Sequence, residues 1–139
     1  MLQVDVQLTL GDFTLAVTHD FALSGVTAIF GRSGSGKSTL LRVIAGLESR
    51  AAGRVALSGK VWQDGVRRVA PERRGVGYVF QDTRLFPHLT VSGNLDFAHR
   101  RARGLGGPGL ADVVRALDLA PLLARRPAAL SGGEKQRVA

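Results

Sequence analysis

GRSGSGKST, residues 31–39, is the stretch on which the reading of this chain turns. Gly31, Gly36, Lys37 and Ser38 stand at the spacing G-x-x-x-x-G-K-[ST] of a loop that cradles phosphate. Glycines let the backbone come close to phosphate oxygens and take conformations closed to other residues. Backbone N–H groups along Gly31, Arg32, Ser33, Gly34, Ser35 and Gly36 are expected to form an anion nest, reinforced by the N-terminal dipole of the next helix. Lys37 is expected to set its charge on the β- and γ-phosphates of a nucleotide, Ser38 to offer its hydroxyl to Mg²⁺, and Thr39 to add a donor to phosphate.

The flanks supply the strand-loop-helix context that the motif requires. Val26–Phe30 is a short apolar run that predicts a buried strand. Leu40, Leu41, Val43, Ile44 and Leu47 predict an apolar helix with Gly46 as its stop. Further upstream, Leu2, Val4, Val6, Leu8 and Leu10 alternate with polar residues. Phe13, Leu15 and Val17 repeat that alternation after Gly11-Asp12, which predicts an antiparallel hairpin. Downstream, short strands are expected at Arg54–Leu57 and Lys60–Trp62, and another apolar strand at Val76–Phe80. Beyond Pro87 the pattern turns helical: Thr90 can cap one helix, and Leu110, Val113, Val114 and Leu117 space out a second. GLGGPG at 104–109 reads as a flexible connector between them. A phosphate loop alone names no reaction, because many kinds of protein use one.

Composition narrows the field. With 139 residues the chain has enough for one compact core or part of a larger one, and no apolar run approaches the ~18 residues of a membrane-spanning helix. The start, MLQVDVQLTL, lacks the pattern of a signal peptide. There are no cysteines, which excludes disulfides, thiolate metal sites and cysteine nucleophiles. The net charge of +8 permits nucleic acid as a partner. Its spread over Arg67-Arg68, Arg73-Arg74, Arg100-Arg101 with Arg103, and Arg125-Arg126 favours a solvated arginine-rich surface instead. His19, His88 and His99 show no metal-like grouping and read as structural or surface residues.

A second motif lies near the end of the chain. In LSGGEKQRVA, 130–139, Ser131 and Glu134 form a capping box that starts a helix. Gly132 and Gly133 are costly in a first helical turn, and make sense where a phosphate must approach bare backbone. Together with GRSGSGKST and the intervening VGYVFQD at 76–82, this segment resembles the signature of ATP-binding-cassette proteins, and the resemblance runs over the whole chain.

The resemblance implies an α/β fold: a P-loop NTPase cassette with a RecA-like core and an N-terminal antiparallel β subdomain over residues 1–85, then a helical subdomain over 86–139. It implies ATP and Mg²⁺ as ligands, with Lys37 and Gln81 catalytic, and Ser38 and Gln81 near the metal. It also implies a head-to-tail homodimer in which Ser131, Gly132, Gly133 and Glu134 meet the nucleotide held by the partner's loop. Such proteins often stack an aromatic on adenine; Phe13 is the nearest candidate, although packing on the apolar face of its strand is the stronger reading.

PERRGVGYVFQDTRLFPHLTVSGNL, 71–95, resembles the importer branch, which works with integral membrane permeases and an external solute-binding protein at the cytoplasmic face of the membrane. LGDFTLAVTHDF, GVTAIFGRSGSGKSTL and LFPHLTVSGNL are most like molybdate importers, with Ser92 standing where a basic residue is frequent. Sulfate, iron and thiamine importers, and nucleic-acid-linked cassette proteins, are the alternatives; no direct nucleic-acid contact is expected. Leu85, Phe86 and Pro87 would lie near the permease groove or simply pack the helical subdomain. The family also needs an apolar strand ending in Asp with a glutamate beside it. Asp64, Asp112 and Asp118 do not stand in such a run, so the chain is expected to be a truncated copy, with the C-terminal part of the core missing, apolar surface exposed and no ATP turnover by itself.

Overall fold

The computed structural model describes residues 1–102 and 106–139 and divides into two compact units, Met1–Val76 and Gly77–Ala139. Part of the 104–109 connector therefore lies outside the described residues.

In the first unit the alternating segments become β1 (Leu2–Leu10) and β2 (Phe13–Phe21), paired antiparallel from Leu2↔Phe21 to Leu10↔Phe13. Gly11 takes φ +57 in the turn. After the loop and α1 (Lys37–Ala45) come β3 (Ala52–Leu57), β4 (Lys60–Asp64) and the two-residue β5 (Arg67–Arg68), giving an antiparallel sheet of order β2-β1-β3-β4-β5. Trp62 is the extra residue where the register of β3 against β4 shifts, which lets Trp62 and its neighbour Gln63 both be buried. One face of the sheet supplies Val4, Val6, Leu8, Leu15, Val55 and Trp62, and α1 lays Leu40 and Val43 into the same core. Each such side chain contributes about 1.5–3 kcal/mol of burial, so α1 is held to the sheet mainly by this face.

Two expected strands do not form. Residues 26–30 and 76–80 carry no strand, and Val26, Phe30, Val76 and Val79 are 96%, 90%, 40% and 61% exposed. A buried strand needs ladder partners, and the five paired strands leave these two runs without any. The sequence patterning is that of buried strands all the same, and both runs leave apolar side chains exposed.

The second unit is helical: α2 (Val91–Arg101), α3 (Leu110–Ala116) and α4 (Gly132–Val138), with single 3₁₀ turns at Ala120–Leu122 and Pro127–Ala129. Thr90 caps α2 as the sequence predicts, its hydroxyl accepting from the Gly93 N–H at 3.1 Å. Val91, Leu119, Leu122, Leu130 and Val138 form the core of this unit. Buried Asn94 fastens the preceding loop to it: its Oδ1 accepts from the Phe86 N–H at 2.7 Å, and its Nδ2 donates to the carbonyls of Phe86 at 3.2 Å and Thr90 at 2.9 Å.

Candidate functional site

The phosphate loop of the first unit folds back on itself. The Ser35 N–H donates to the Arg32 carbonyl at 3.2 Å, and a Cβ on Gly31 would stand 2.8 Å from Ser35 Oγ. Gly36 sits at φ +91 as the N-cap of α1. A Cβ there would meet Phe13 Cζ at 2.8 Å and Leu15 Cδ1 at 3.0 Å, so only glycine suits both the conformation and the space. Phe13 is half-buried and packs on the sheet core, in line with the strand-face reading.

Lys37 opens α1 and turns back over the loop. Its Nζ donates to the carbonyls of Gly31 and Arg32, both at 2.8 Å. An ammonium has three protons, so one stays available at the loop mouth. Ser38 is exposed on the first turn of α1 and Thr39 half-buried beside it. Among the described residues no side chain caps the N-terminus of α1, and its first turn holds no acidic residue. The first-turn N–H groups are therefore left without a side-chain acceptor, and the helix dipole and Lys37 add positive potential at the same place. This arrangement suits an anion.

At its other end α1 is heavily fastened. Gly46, at φ +79, closes it by donating to the carbonyls of Arg42 and Val43. Arg74 then reaches beneath: its Nη1 donates to the carbonyls of Val43 at 3.2 Å and Ile44 at 2.7 Å, and its Nε to the Val69 carbonyl at 3.0 Å. Its guanidinium lies 5.8 Å from the centre of the Trp62 ring. Arg74 is 4% exposed, which corrects its placement among the solvated surface arginines. Burial, and then the charge of Arg68, push its pKa down from the ordinary arginine value. The doublet Arg73-Arg74 gives no periodic signal of which member turns inward; the only hint is that Arg74 directly precedes the Gly75–Phe80 run.

Next to this end, Glu48 is 7% exposed and accepts from Arg50 at Nε and Nη2, each at 2.9 Å. The Arg50 side chain, against the opposing effect of burial, lowers the Glu48 pKa from 4.5 to about 2. Arg68 donates to the carbonyls of Ser49 and Ala51, and Gln63 Nε2 also donates to Ala51 O at 2.8 Å.

The remaining sequence-predicted residues belong to the second unit. Gln81 is exposed in a bend rather than at a strand end. Ser131 caps α4, its hydroxyl accepting from the Glu134 N–H at 3.3 Å while its own N–H donates to Glu134 Oε2 at 2.7 Å. Hydrogen bonding of the Glu134 carboxylate to the Ser131 backbone N–H and then to its side chain, followed by the positive charges of Arg125 and Arg137, lowers the Glu134 pKa although partial desolvation opposes this. A Cβ on Gly132 or Gly133 would meet nothing within 4 Å. These glycines therefore answer no packing need within the described residues.

Residues 16–139, from β2 through both motifs, match the ABC transporter family. The chain belongs to that family. Among curated ABC proteins, it is 55% identical over 128 residues to the molybdenum import ATP-binding protein ModC of Thiobacillus denitrificans, covering 91% of this chain and 35% of that protein. It is 51% identical to ModC of Aliivibrio fischeri, covering 100% of this chain and 38% of that one. Its structure resembles a dimeric post-hydrolysis state of the ATP-binding cassette MJ0796 bound to ADP and Pi, with a TM-score of 0.78, 25% identity and coverage of 99% of this chain and 66% of that one. The chain thus spans little more than a third of the length of these curated relatives. The α/β cassette fold expected from the sequence stands, although the strands paired here are all antiparallel.

Proposed function

We propose that this chain is the nucleotide-binding part of an ATP-driven importer subunit, and that the whole protein couples ATP binding and hydrolysis to uptake of molybdate. The observation that carries the proposal is the phosphate loop: an uncapped helix N-terminus, a left-handed Gly36 and a Lys37 ammonium held across the loop by two carbonyls. Similarity to molybdenum import proteins over nearly the whole chain supports molybdate rather than another solute.

In this reading the backbone of Gly31–Gly36 and the free proton of Lys37 hold the β- and γ-phosphates of ATP, with Thr39 as a further donor. The exposed hydroxyl of Ser38 is an oxygen ligand of the kind Mg²⁺ takes, so the donor chemistry fits that ion; Gln81 is its second proposed neighbour. Bound Mg²⁺ would neutralise charge on the phosphate oxygens. Ser131, Gly132, Gly133 and Glu134 serve the nucleotide of a second cassette, with Ser131 and the bare backbone of the two glycines facing its γ-phosphate. Residues 1–85 form the β subdomain and loop-bearing core, and 86–139 the helical subdomain. The partners are a second copy, integral permease subunits and, indirectly, a solute-binding protein. Among the described residues no helix is long and apolar enough to cross a membrane, and a peripheral place on the cytoplasmic face of the permease is proposed.

Replacement of the corresponding segment of a full-length molybdate-importing relative by residues 1–139 tests this. Molybdate uptake that persists in the chimera, and is lost with Lys37→Ala, supports the proposal. Uptake independent of Lys37, or a chimera that assembles but takes up sulfate in place of molybdate, contradicts it.

A further inference from the structure

Helix α1 packs on the sheet through Leu40 and Val43, but the side-chain hydrogen bonds that tie its backbone to the rest of the unit lie at its C-terminal end. It has nine residues, about 13 Å of helix, and a helix that short is marginal without tertiary support. Its N-terminus, where the phosphate loop sits, has no side-chain cap. Its polar anchors are at the far end, where Gly46 closes the last turn and Arg74 takes the carbonyls of Val43 and Ile44.

Arg74 is placed for more than filling space. Its guanidinium joins three separate pieces of chain: the end of α1, the segment after β5 through Val69, and Trp62 on β4. Among the described residues it forms no ion pair with a carboxylate, since Glu48, the buried acid nearby in sequence to α1, is taken by Arg50. Its charge is met by helix C-terminal carbonyls, where a cation is favoured by the helix dipole. Gly46 leaves room for it: a Cβ on Gly46 would stand 2.6 Å from Arg74 Nε and 2.7 Å from Cζ.

We infer that Arg74 is a positioning residue for the phosphate loop: by fixing the C-terminal end of α1 to the sheet, it sets how the helix presents its bare N-terminus to phosphate. This rests on the reading of residues 31–39 as a nucleotide loop, and goes beyond it by assigning a buried arginine outside both the phosphate loop and the 130–139 segment to the same task. A polar anchor at one end of a short helix packed on the sheet constrains the other end, so the N-terminal N–H groups can stay open for a ligand. Arg74 touches no phosphate itself.

The test compares the parent chain with Arg74→Met and Arg74→Lys by amide hydrogen exchange without nucleotide and by Mg-ATP titration. The expected result for Arg74→Met is exchange at least tenfold faster over residues 33–40, with β1 and β2 amides unchanged, and ATP affinity at least fivefold weaker in folded protein. Arg74→Lys, which keeps the charge but not the fork of donors, is expected to fall between. A merely structural role would lower stability while leaving the affinity of the folded fraction unaltered, since affinity falls only as that fraction falls. Uniform acceleration across the sheet, unchanged exchange over 33–40, or failure of both variants to fold overturns the inference. If the parent binds no ATP, the nucleotide reading fails, and the exchange pattern still decides the role of Arg74.

Discussion

The ring of Phe13 lies against Gly36, so close that a Cβ on the glycine would stand 2.8 Å from Phe13 Cζ. The contact joins the first residue of β2 to the N-cap of α1. The hairpin therefore helps shape the phosphate loop, and the loop leaves no room for a side chain at this point.

Gly36→Ala is expected to be doubly penalised, by the left-handed conformation at φ +91 and by the clash with Phe13 and Leu15. The conformation alone costs about 1–2 kcal/mol. Gly34, at φ +80 with nothing within 4 Å of a Cβ, bears only the conformational part. Urea unfolding is expected to rank the chains parent, Gly34→Ala, Gly36→Ala in falling stability. Equal loss in the two variants would remove the Phe13 contact from the account.

Glu48 gives the fold a pH dependence of definite sign. Its folded pKa of about 2 lies below its ordinary 4.5, so the unfolded chain binds the proton more tightly. The stability it adds is fully present above pH 4.5 and is lost as pH falls towards 2. The stability difference between parent and Glu48→Gln is therefore expected to be constant from pH 5 to 7 and to shrink below about pH 4.5. A difference that does not change with pH would contradict the Arg50 pairing.

The capping box of α4 is a separate matter of local stability. Ser131→Ala removes the acceptor for the Glu134 N–H and is expected to cost about 1 kcal/mol in unfolding, with loss of helical signal. Ser131→Asp is expected to restore most of it, since Asp is an equally good cap. If Ser131→Ala leaves stability unchanged, the hydroxyl is not spent on the cap.

Much of this was legible in the residues. The alternation from Leu2 to Val17 encodes the hairpin because period two leaves only one face to bury. The GRSGSGKST spacing encodes the loop, and Ser131 with Glu134 the start of α4, because both depend on neighbours within a few positions. The runs at 26–30 and 76–80 misled as strands: apolar residues state a preference for burial and say nothing of whether a ladder partner exists. Arg74 was hidden for a related reason. Its partners on α1 and after β5 converge only once β3, β4 and β5 have folded back, and a charged doublet carries no pattern that says which member will be buried. The contact of Phe13 with Gly36 likewise exists only in three dimensions.

Residues 31–39 are proposed to hold the phosphates of ATP through Lys37. Isothermal titration of Mg-ATP into the chain and into Lys37→Ala, with unfolding curves of both, addresses this most directly. Saturable one-site binding is expected, at least tenfold weaker in Lys37→Ala at unchanged fold. Equal affinity in the two chains, or no saturable binding by a folded parent, would contradict it.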